Sequence, residues 1–307
     1  MPGPPTPVRR GRLPRIGASV VVLLAVAGYV AAQYATGGRP APRCTVTAAH
    51  GGGSSYGFTS EQAVNAATIS AVGTSRGMPE RAVTIALATA LQESGLRNIR
   101  YGDRDSLGLF QQRPSEGWGT RKQIMDPVYA AERFYARLEK VPGYSRLPLT
   151  VAAQRVQRSG FPQAYAKHEP DATLLAAALT GRAAASLTCE GRPSGAEATR
   201  AGDPAGVDAA LVRDFGREVA PRPAGRNALR VPVPTVPASA GAAERQRGWE
   251  LAQWAVANSS ALHIEQVSYA GREWTAGESG QKWRTAQNPP EPSRRAAVDE
   301  VRITTGQ

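Results

Sequence analysis

The chain has 307 residues, roughly two domains' worth, so a mini-protein that depends on disulfides or metals for its stability is excluded. Lysine and arginine total 37 against 25 aspartate and glutamate, and the net charge of +12 favours anionic partners such as nucleic acid, lipid headgroups or cell-wall polymers. Two cysteines and three histidines are too few for a zinc-ribbon array, an iron–sulfur protein or a histidine-rich metal carrier. The composition therefore predicts neither a metal nor a cofactor.

The amino-terminal segment has the pattern of a membrane signal. Residues 1–15 form a basic tail with four arginines, and residues 16–34 are almost entirely apolar. An arginine cluster before an apolar stretch of this length is typical of a transmembrane signal anchor whose amino end is cytoplasmic. A cleaved signal peptide is the alternative, because the small residues Ala31, Ala32 and Ala35 follow the apolar core. We expect a single-pass protein of the cell membrane with an extracellular carboxyl-terminal part.

Cys44 and Cys189 are the only cysteines of the chain. Both fall on the predicted extracellular side, where thiols oxidise, so a disulfide between them is expected. Two unpaired thiols are the alternative. A disulfide would mark the limits of one folded domain, predicted at residues 56–190 after a linker at residues 35–55.

The sequence between the two cysteines has a helical pattern. Thr59 with Gln62 three residues later is a capping-box signature, which predicts a first helix from about Ser60. Pro79 opens a second helix, and Gly95 ends it. Further helices are predicted from Asp126-Pro127 to Pro142-Gly143, over Thr150–Ser159 and over Asp171–Leu187.

Glu93 lies at the carboxyl end of the second predicted helix. Partial burial and the negative helix terminus would both raise the pKa of its carboxyl group, which suits a general acid. The segment Asn98–Arg121 that follows is too long for an ordinary connection and is rich in Gly, Asp and Gln, so a functional loop is expected there. Glu93 is the candidate catalytic residue; a solvated glutamate at a helix end is the alternative.

Two motifs support this interpretation. The sequence contains Glu93-Ser94-Gly95-Leu96 and, further on, Gly108-Leu109-Phe110-Gln111-Gln112. These two stretches resemble the E-S and G-L-M-Q motifs of the lysozyme-like superfamily, specifically of soluble lytic transglycosylase-like domains of actinobacterial type. The resemblance covers roughly residues 56–187 and implies a mainly α lysozyme-like domain that acts on peptidoglycan with Glu93 as its acid/base. The substrate-binding residues that it implies are Ser94, Gly108, Leu109, Phe110, Gln111, Gln112, Gln154, Gln157 and Tyr165. The last three lie in a segment where the sequence departs from the family's A-x-Y-N-A-G-like pattern, and Phe110 could equally be a core residue.

The resemblance also implies a mechanism. In that family one carboxylic acid is sufficient, because it protonates the glycosidic oxygen and the substrate's own 6-hydroxyl or N-acetyl group completes the reaction to a 1,6-anhydro sugar. A hydrolase would need a second carboxylate, for which Asp103 and Asp105 are the candidates, although both could equally cap the loop or face solvent beside Arg104.

Residues 191–242 are rich in Gly, Pro, Ala and Arg and are predicted to be a linker. Residues 243–307 are predicted to form a small α+β domain with a helix from Ala243 and strands at Ile264–Tyr269, Glu273–Thr275 and Val298–Thr304. Part of this region resembles the carboxyl half of D-alanyl-D-alanine carboxypeptidase-like zinc peptidases. The resemblance lies in the segments Trp249–Asn258, Gly271–Trp274 and Val298–Ile303. Glu300 and Arg302 stand where that family has zinc-binding histidines, so a metal-free remnant used for packing or binding is expected.

The sequence as a whole favours a membrane-anchored extracellular peptidoglycan glycosidase, specifically a lytic transglycosylase. The expected partners are peptidoglycan and, through the amino-terminal helix, the cytoplasmic membrane. Nucleic acid is not expected, since the arginines are dispersed and the domain is exported. The alternative is a non-catalytic cell-wall-binding or assembly protein with a degenerate lysozyme-like groove. No protein partner is indicated.

Overall fold

The computed structural model of the chain describes residues 43–48, 53–158, 162–191, 201–234, 241–277, 282–286 and 299–306. These residues belong to one compact unit that begins at residue 42. Within the described ranges, no helix is both long and apolar enough to cross a bilayer. The predicted membrane span at residues 16–34 and the basic tail before it lie outside the described residues.

The first half of the unit is helical and carries one small sheet. Strand β1 (Arg43–Thr47) lies between β2 (Ser55–Thr59) and β3 (Leu187–Cys189), and both pairings are antiparallel. The helices are α1 (Ser60–Ser75), α2 (Glu80–Ser94), α3 (Arg121–Ile124), α4 (Pro127–Leu138), α5 (Leu149–Gln157) and α6 (Glu169–Leu179). Short 3-10 helices occur at Pro114–Glu116 and Pro162–His168.

The second half is built on a six-stranded antiparallel sheet. Its elements are α7 (Pro204–Phe215), β4 (Arg222–Pro223), β5 (Ala228–Pro232), α8 (Gly241–Ala257), α9 (Ser259–Leu262), β6 (Ile264–Tyr269), β7 (Arg272–Thr275), β8 (Arg284–Thr285) and β9 (Glu300–Thr305). The strand order is β4-β5-β9-β6-β7-β8, so the last strand of the chain pairs with both β5 and β6. A mainly helical chain with a small antiparallel sheet near its carboxyl end is the coarse fold class that the sequence predicted, and it is confirmed.

The helix ends follow local sequence signals. Thr59 caps α1, because its hydroxyl accepts from the Gln62 N–H at 3.3 Å while its own N–H donates to Gln62 Oε1 at 2.8 Å. Gly95 ends α2 in the left-handed conformation with φ 63°. Asp126 caps α4, with Oδ1 accepting from the Val128 N–H at 2.9 Å. These contacts are local in sequence, which is why the capping box and the stop at Gly95 could be predicted.

The predicted disulfide between Cys44 and Cys189 is present. The two residues face each other across the β1–β3 pairing, and both are buried. The cross-link spans 145 residues of sequence and so joins the start of the helical half to its end.

The second half packs directly on the helical half through α8. Every residue of α8 from Gly248 to Ala257 is buried. Gln253 is fully buried and makes contacts with four backbone groups of the helical half: Oε1 accepts from Ser186 N at 3.0 Å and Leu187 N at 2.9 Å, and Nε2 donates to Ala178 O at 2.7 Å and Ala183 O at 3.0 Å. Buried polar groups with this many partners fix one arrangement of the surrounding backbone.

Part of the predicted linker at residues 191–242 is ordered structure instead. Helix α7 begins at a capping Asp203, and it carries the buried Asp214 near its carboxyl end. The Asp214 carboxylate accepts hydrogen bonds from Thr68 Oγ1 at 3.0 Å and Trp254 Nε1 at 2.8 Å, and it pairs with Arg213. The sequence suggested a linker because a short alanine-rich helix that opens with proline has the same composition as a flexible connection.

Candidate active site

Glu93 lies in the last turn of α2, and contacts from α1 fix the chain that follows it. Gly95 and Leu96 both adopt positive φ, which turns the chain sharply away from the helix axis. Gln62 Nε2 donates to Gly95 O and Asn65 Nδ2 donates to Leu96 O, each at 2.8 Å. Asn65 was not among the residues predicted from the sequence; the signal would have been an amide side chain on the buried face of an otherwise apolar helix.

Ser94 joins the end of α2 to the loop. Its buried hydroxyl lies 2.8 Å from Leu109 O and 3.1 Å from Ala90 O, and it accepts from the Arg97 N–H at 3.2 Å. With these contacts the hydroxyl positions the backbone. Because this hydroxyl is buried, Ser94 offers no exposed polar group for its predicted role in substrate binding.

The Glu93 side chain is half-buried and accepts a hydrogen bond from another element of the helical half. Tyr165 Oη, on the 3-10 helix Pro162–His168, donates to Glu93 Oε1 at 2.7 Å. The amide of Gln157, the last residue of α5, is a second partner, and its Nε2 also donates to Phe110 O at 2.7 Å. The structure thus brings two other predicted site residues, from two separate elements, to the Glu93 carboxyl group.

The pKa of Glu93 is raised above its ordinary value. Burial is the larger cause, because it disfavours the charged carboxylate, and the hydrogen bonds from Tyr165 and Gln157 act in the opposite direction. A raised pKa keeps more of the carboxyl group protonated near neutral pH, which is the form that a general acid needs.

Replacing Tyr165 by phenylalanine is expected to raise the pKa of Glu93 further. The hydroxyl stabilises the charged carboxylate, and its removal leaves burial less opposed. Carbon-13 NMR titration of the glutamate carboxyl signals, assigned with Glu93→Gln, measures this shift. A lower pKa in Tyr165→Phe would contradict the assigned direction, and Tyr129→Phe, whose hydroxyl instead donates to Trp118 O, is the matched control.

The loop after Glu93 turns most of its predicted binding side chains inward. Leu109 and Phe110 are fully buried, and the Phe110 ring stacks on Phe134 at 4.7 Å between centroids. Gln112 is buried as well, and its Nε2 donates to Ala130 O at 3.0 Å. These three side chains pack under the loop and support its backbone.

The remaining predicted binding residues lie nearer the surface. Gln111 is half-buried with φ 47°, and its Nε2 lies 3.3 Å from Gly108 O. Gln154 is half-buried and sits one turn before Gln157 on α5. Both amides therefore remain candidates for contact with a ligand.

Gly108 lies against the backbone of the residue that ends α3. Its φ is 75°, and a Cβ at this position would lie 2.8 Å from Ile124 O. Its N–H donates to Ile99 O at 2.7 Å, so the backbone cannot move away freely.

Gly108→Ala is therefore expected to destabilise the protein by about 2 kcal/mol, from the unfavourable φ and the close backbone contact together. Chemical denaturation measures the loss. Gly117→Ala is the control, since Gly117 has a similar φ of 71° but open space where its Cβ would lie. Equal losses in the two variants would show that the contact with Ile124 O contributes nothing.

The two candidates for a second carboxylate, Asp103 and Asp105, interact with residues other than Glu93. Asp103 is almost completely exposed, 3.9 Å from Arg104. Asp105 accepts from Arg113 Nε at 2.9 Å and from Ser115 N at 2.9 Å, and the backbone hydrogen bond from Ser115 followed by that from Arg113 lowers its pKa to about 2. Asp105 thus stabilises the loop as a permanent anion, and neither aspartate hydrogen-bonds to Glu93.

The carboxyl-terminal sheet has no metal-binding group in its described part. Glu300 lies 3.5 Å from Arg230 in an ion pair, and Arg302 is exposed on the same strand. Throughout the described ranges, no three His, Cys, Asp or Glu side chains come together as metal ligands would.

Comparison with known families matches residues 227–295 to the model described as VldE, C-terminal domain. This match covers less than a quarter of the chain and does not include Glu93 or its partners. It overlaps the segment that the sequence analysis likened to zinc carboxypeptidases, and that likeness stays a prediction. No curated protein matches the chain. The comparisons therefore relate only the carboxyl-terminal segment to a known family.

Proposed function

We propose that the protein cleaves the β-1,4-linked glycan strands of peptidoglycan as a lytic transglycosylase with a lysozyme-like helical domain. The observation that carries the proposal is the environment of Glu93: a half-buried carboxyl group with a raised pKa, held by Tyr165 and Gln157 at the end of α2. The resemblance of the Glu93–Leu96 and Gly108–Gln112 motifs to lytic transglycosylases supports the choice of substrate.

The reaction needs only this carboxyl group and the substrate. The protonated Glu93 gives its proton to the glycosidic oxygen as the bond from that oxygen to C1 breaks. The 6-hydroxyl of the same sugar then forms the new bond to C1 and returns its proton to the Glu93 carboxylate. The carboxyl group is regenerated, no water is consumed, and the product is a 1,6-anhydro sugar.

The other carboxylates favour this reaction over hydrolysis. An inverting or retaining hydrolase uses a second carboxylate about 5–9.5 Å from the first. Asp105 is bound by Arg113 and Ser115, and Asp103 faces solvent. The proposal therefore assigns neither of them a role in activating water.

The proposed location is the outer side of the cytoplasmic membrane, with residues 16–34 as the anchor. The Cys44–Cys189 disulfide supports this location, because such cross-links persist in oxidising compartments.

Digestion of purified peptidoglycan by the full-length chain, with the products identified by mass spectrometry, tests the proposal. We expect 1,6-anhydro-muropeptides from the wild type and from Glu132→Gln, an exposed control on α4, and none from Glu93→Gln. Reducing-end products would replace the transglycosylase with a hydrolase. Binding without any cleavage by the wild type would instead favour the non-catalytic wall-binding protein.

A further inference from the structure

An open pocket of about 450 Å³ lies beside the loop that follows Glu93. It is lined by Asn98, Arg100, Leu107, Arg121, Lys122 and Met125. Asn98 Nδ2 donates to Met125 O at 2.8 Å and so ties the segment after α2 to the end of α3. Pockets of about 300–1,000 Å³ hold ligands of molecular size, whereas a single ion occupies far less.

The charges around this pocket all have one sign. Arg100, Arg121 and Lys122 are exposed at its rim, and among the described residues no carboxylate lines it. The ion pairs of the neighbouring loop use other arginines, Arg104 with Asp103 and Arg113 with Asp105. The three rim cations are therefore available to an anionic ligand.

Two apolar side chains and the amide of Asn98 complete the lining of the pocket. Leu107 is buried and Met125 is half-buried, and both belong to the lining. A ligand that combines carboxylates or other anions with small apolar groups would match this lining. A short peptide with methyl side chains and free carboxylates has this combination, whereas a chain of phosphates and polyols lacks the apolar part.

We propose that this pocket binds the carboxylate-bearing peptide stem of the peptidoglycan strand that Glu93 cleaves. The proposal rests on the proposed function for the identity of the polymer. It assigns to Arg100, Arg121 and Lys122 the recognition of the stem carboxylates, and to Leu107 and Met125 the contact with its methyl groups.

One short stretch of the loop connects the pocket to the surroundings of Glu93. Leu107 lines the pocket, and three residues later Phe110 O contacts Gln157, a partner of Glu93. Three residues span at most about 10 Å, whereas an extended peptide of four or five residues reaches about 13–18 Å. The proposal places the stem of a sugar bound at Glu93 along this stretch.

The test compares two triple variants of the full-length chain that lose the same charge. The pocket variant is Arg100→Gln/Arg121→Gln/Lys122→Gln. The control is Arg217→Gln/Arg226→Gln/Arg272→Gln, which changes three exposed arginines of the second half. Two readouts are used: binding of a free stem pentapeptide and of its carboxamide form, followed by NMR, and kcat/KM on soluble glycan strands with and without their stems.

We expect the pocket variant and the carboxamide peptide each to weaken peptide binding about tenfold or more, and added salt to weaken the wild-type complex. The ratio of kcat/KM for strands with stems to that for bare strands is expected to fall at least fivefold in the pocket variant only. Unchanged peptide binding in the pocket variant overturns the proposal, even if the strands are cleaved.

The two failures are separable, because peptide binding is measured without turnover. If no strand is cleaved, the proposed function fails while the peptide titration still decides whether the pocket takes carboxylates. If poly(glycerol phosphate) binds to the wild type and loses its affinity in the pocket variant, whereas the pentapeptide does not bind, the pocket belongs to a phosphate polymer and the proposal is wrong.

Discussion

Glu93→Gln is expected to lower the rate of glycan cleavage by about 10³-fold and, at neutral pH, to make the folded protein more stable. Proton transfer by a positioned acid contributes about 10²–10⁴-fold to a rate, and an amide cannot supply that proton. The amide keeps the size of the side chain, and its oxygen can still accept from Tyr165. The loss of activity is therefore attributed to the proton and not to the shape of the site.

The gain in stability follows from the direction of the pKa shift. Burial raises the pKa of Glu93 in the folded state above its ordinary value of 4.5. Between the unfolded and the folded pKa the folded state binds more protons, so the free energy of unfolding falls as the pH rises through this window. Glutamine does not titrate, so the Glu93→Gln variant does not lose this free energy of unfolding as the pH rises. The difference between Glu93→Gln and wild type should be present above the folded pKa and should vanish below the unfolded one.

Chemical denaturation of both proteins at pH 4 and pH 7.5 checks this expectation, with Glu132→Gln as the exposed control. A Glu93→Gln protein that is less stable at pH 7.5 would indicate that the carboxylate is part of the structural framework. Retained cleavage activity would remove Glu93 from the proposed mechanism.

Gln253→Ala is expected to cost about 4 kcal/mol or more of unfolding free energy. The fully buried amide satisfies the N–H groups of Ser186 and Leu187 and the carbonyls of Ala178 and Ala183. Each buried polar group that is left without a partner costs about 1–3 kcal/mol, and alanine leaves a cavity as well. For a chain of this size the expected fall in Tm is about 10 °C.

Gln246→Ala is the matched control on the same helix. Gln246 is exposed and makes one contact to the helical half, from Nε2 to Thr180 O at 3.0 Å, so its loss should cost less than about 1 kcal/mol. If the two variants unfold at the same denaturant concentration, Gln253 does not hold the two halves together as described.

The elements with local signals were predictable from the sequence. The capping box of Thr59 and Gln62 and the glycine stop at Gly95 depend on neighbours within four residues, and the structure has both. The strand predicted at Ile264–Tyr269 is present, and the strand predicted at Val298–Thr304 appears as Glu300–Thr305, in which buried residues alternate with less buried ones. Helix α7 was missed, because what makes it a helix in this fold includes the distant contacts of Asp214 with Thr68 and Trp254.

The residues of the candidate site could be proposed from the sequence, but not the directions of their side chains. Glu93, Gln157 and Tyr165 lie together in the structure, although no periodicity in the sequence shows that Tyr165 donates to Glu93. Whether a loop side chain such as Gln112 faces a groove or the core depends on the helix beneath it, here on Ala130 O. The basic pocket was missed for the same reason, since Arg100 and Arg121 are far apart in sequence and meet only in the fold.

The burial of α8 on several sides limits how this chain could have been assembled by recombination. Helix α8 packs on β6 and β9 of its own sheet and also on α1, α6 and β3 of the helical half. The segment that matches the VldE C-terminal domain ends at residue 295, before β9, the strand that joins β5 to β6. A gene fragment limited to that segment would encode an incomplete sheet and a helix with one apolar flank uncovered. Transfer of this segment between proteins would therefore need its last strand and a host surface already shaped to receive α8.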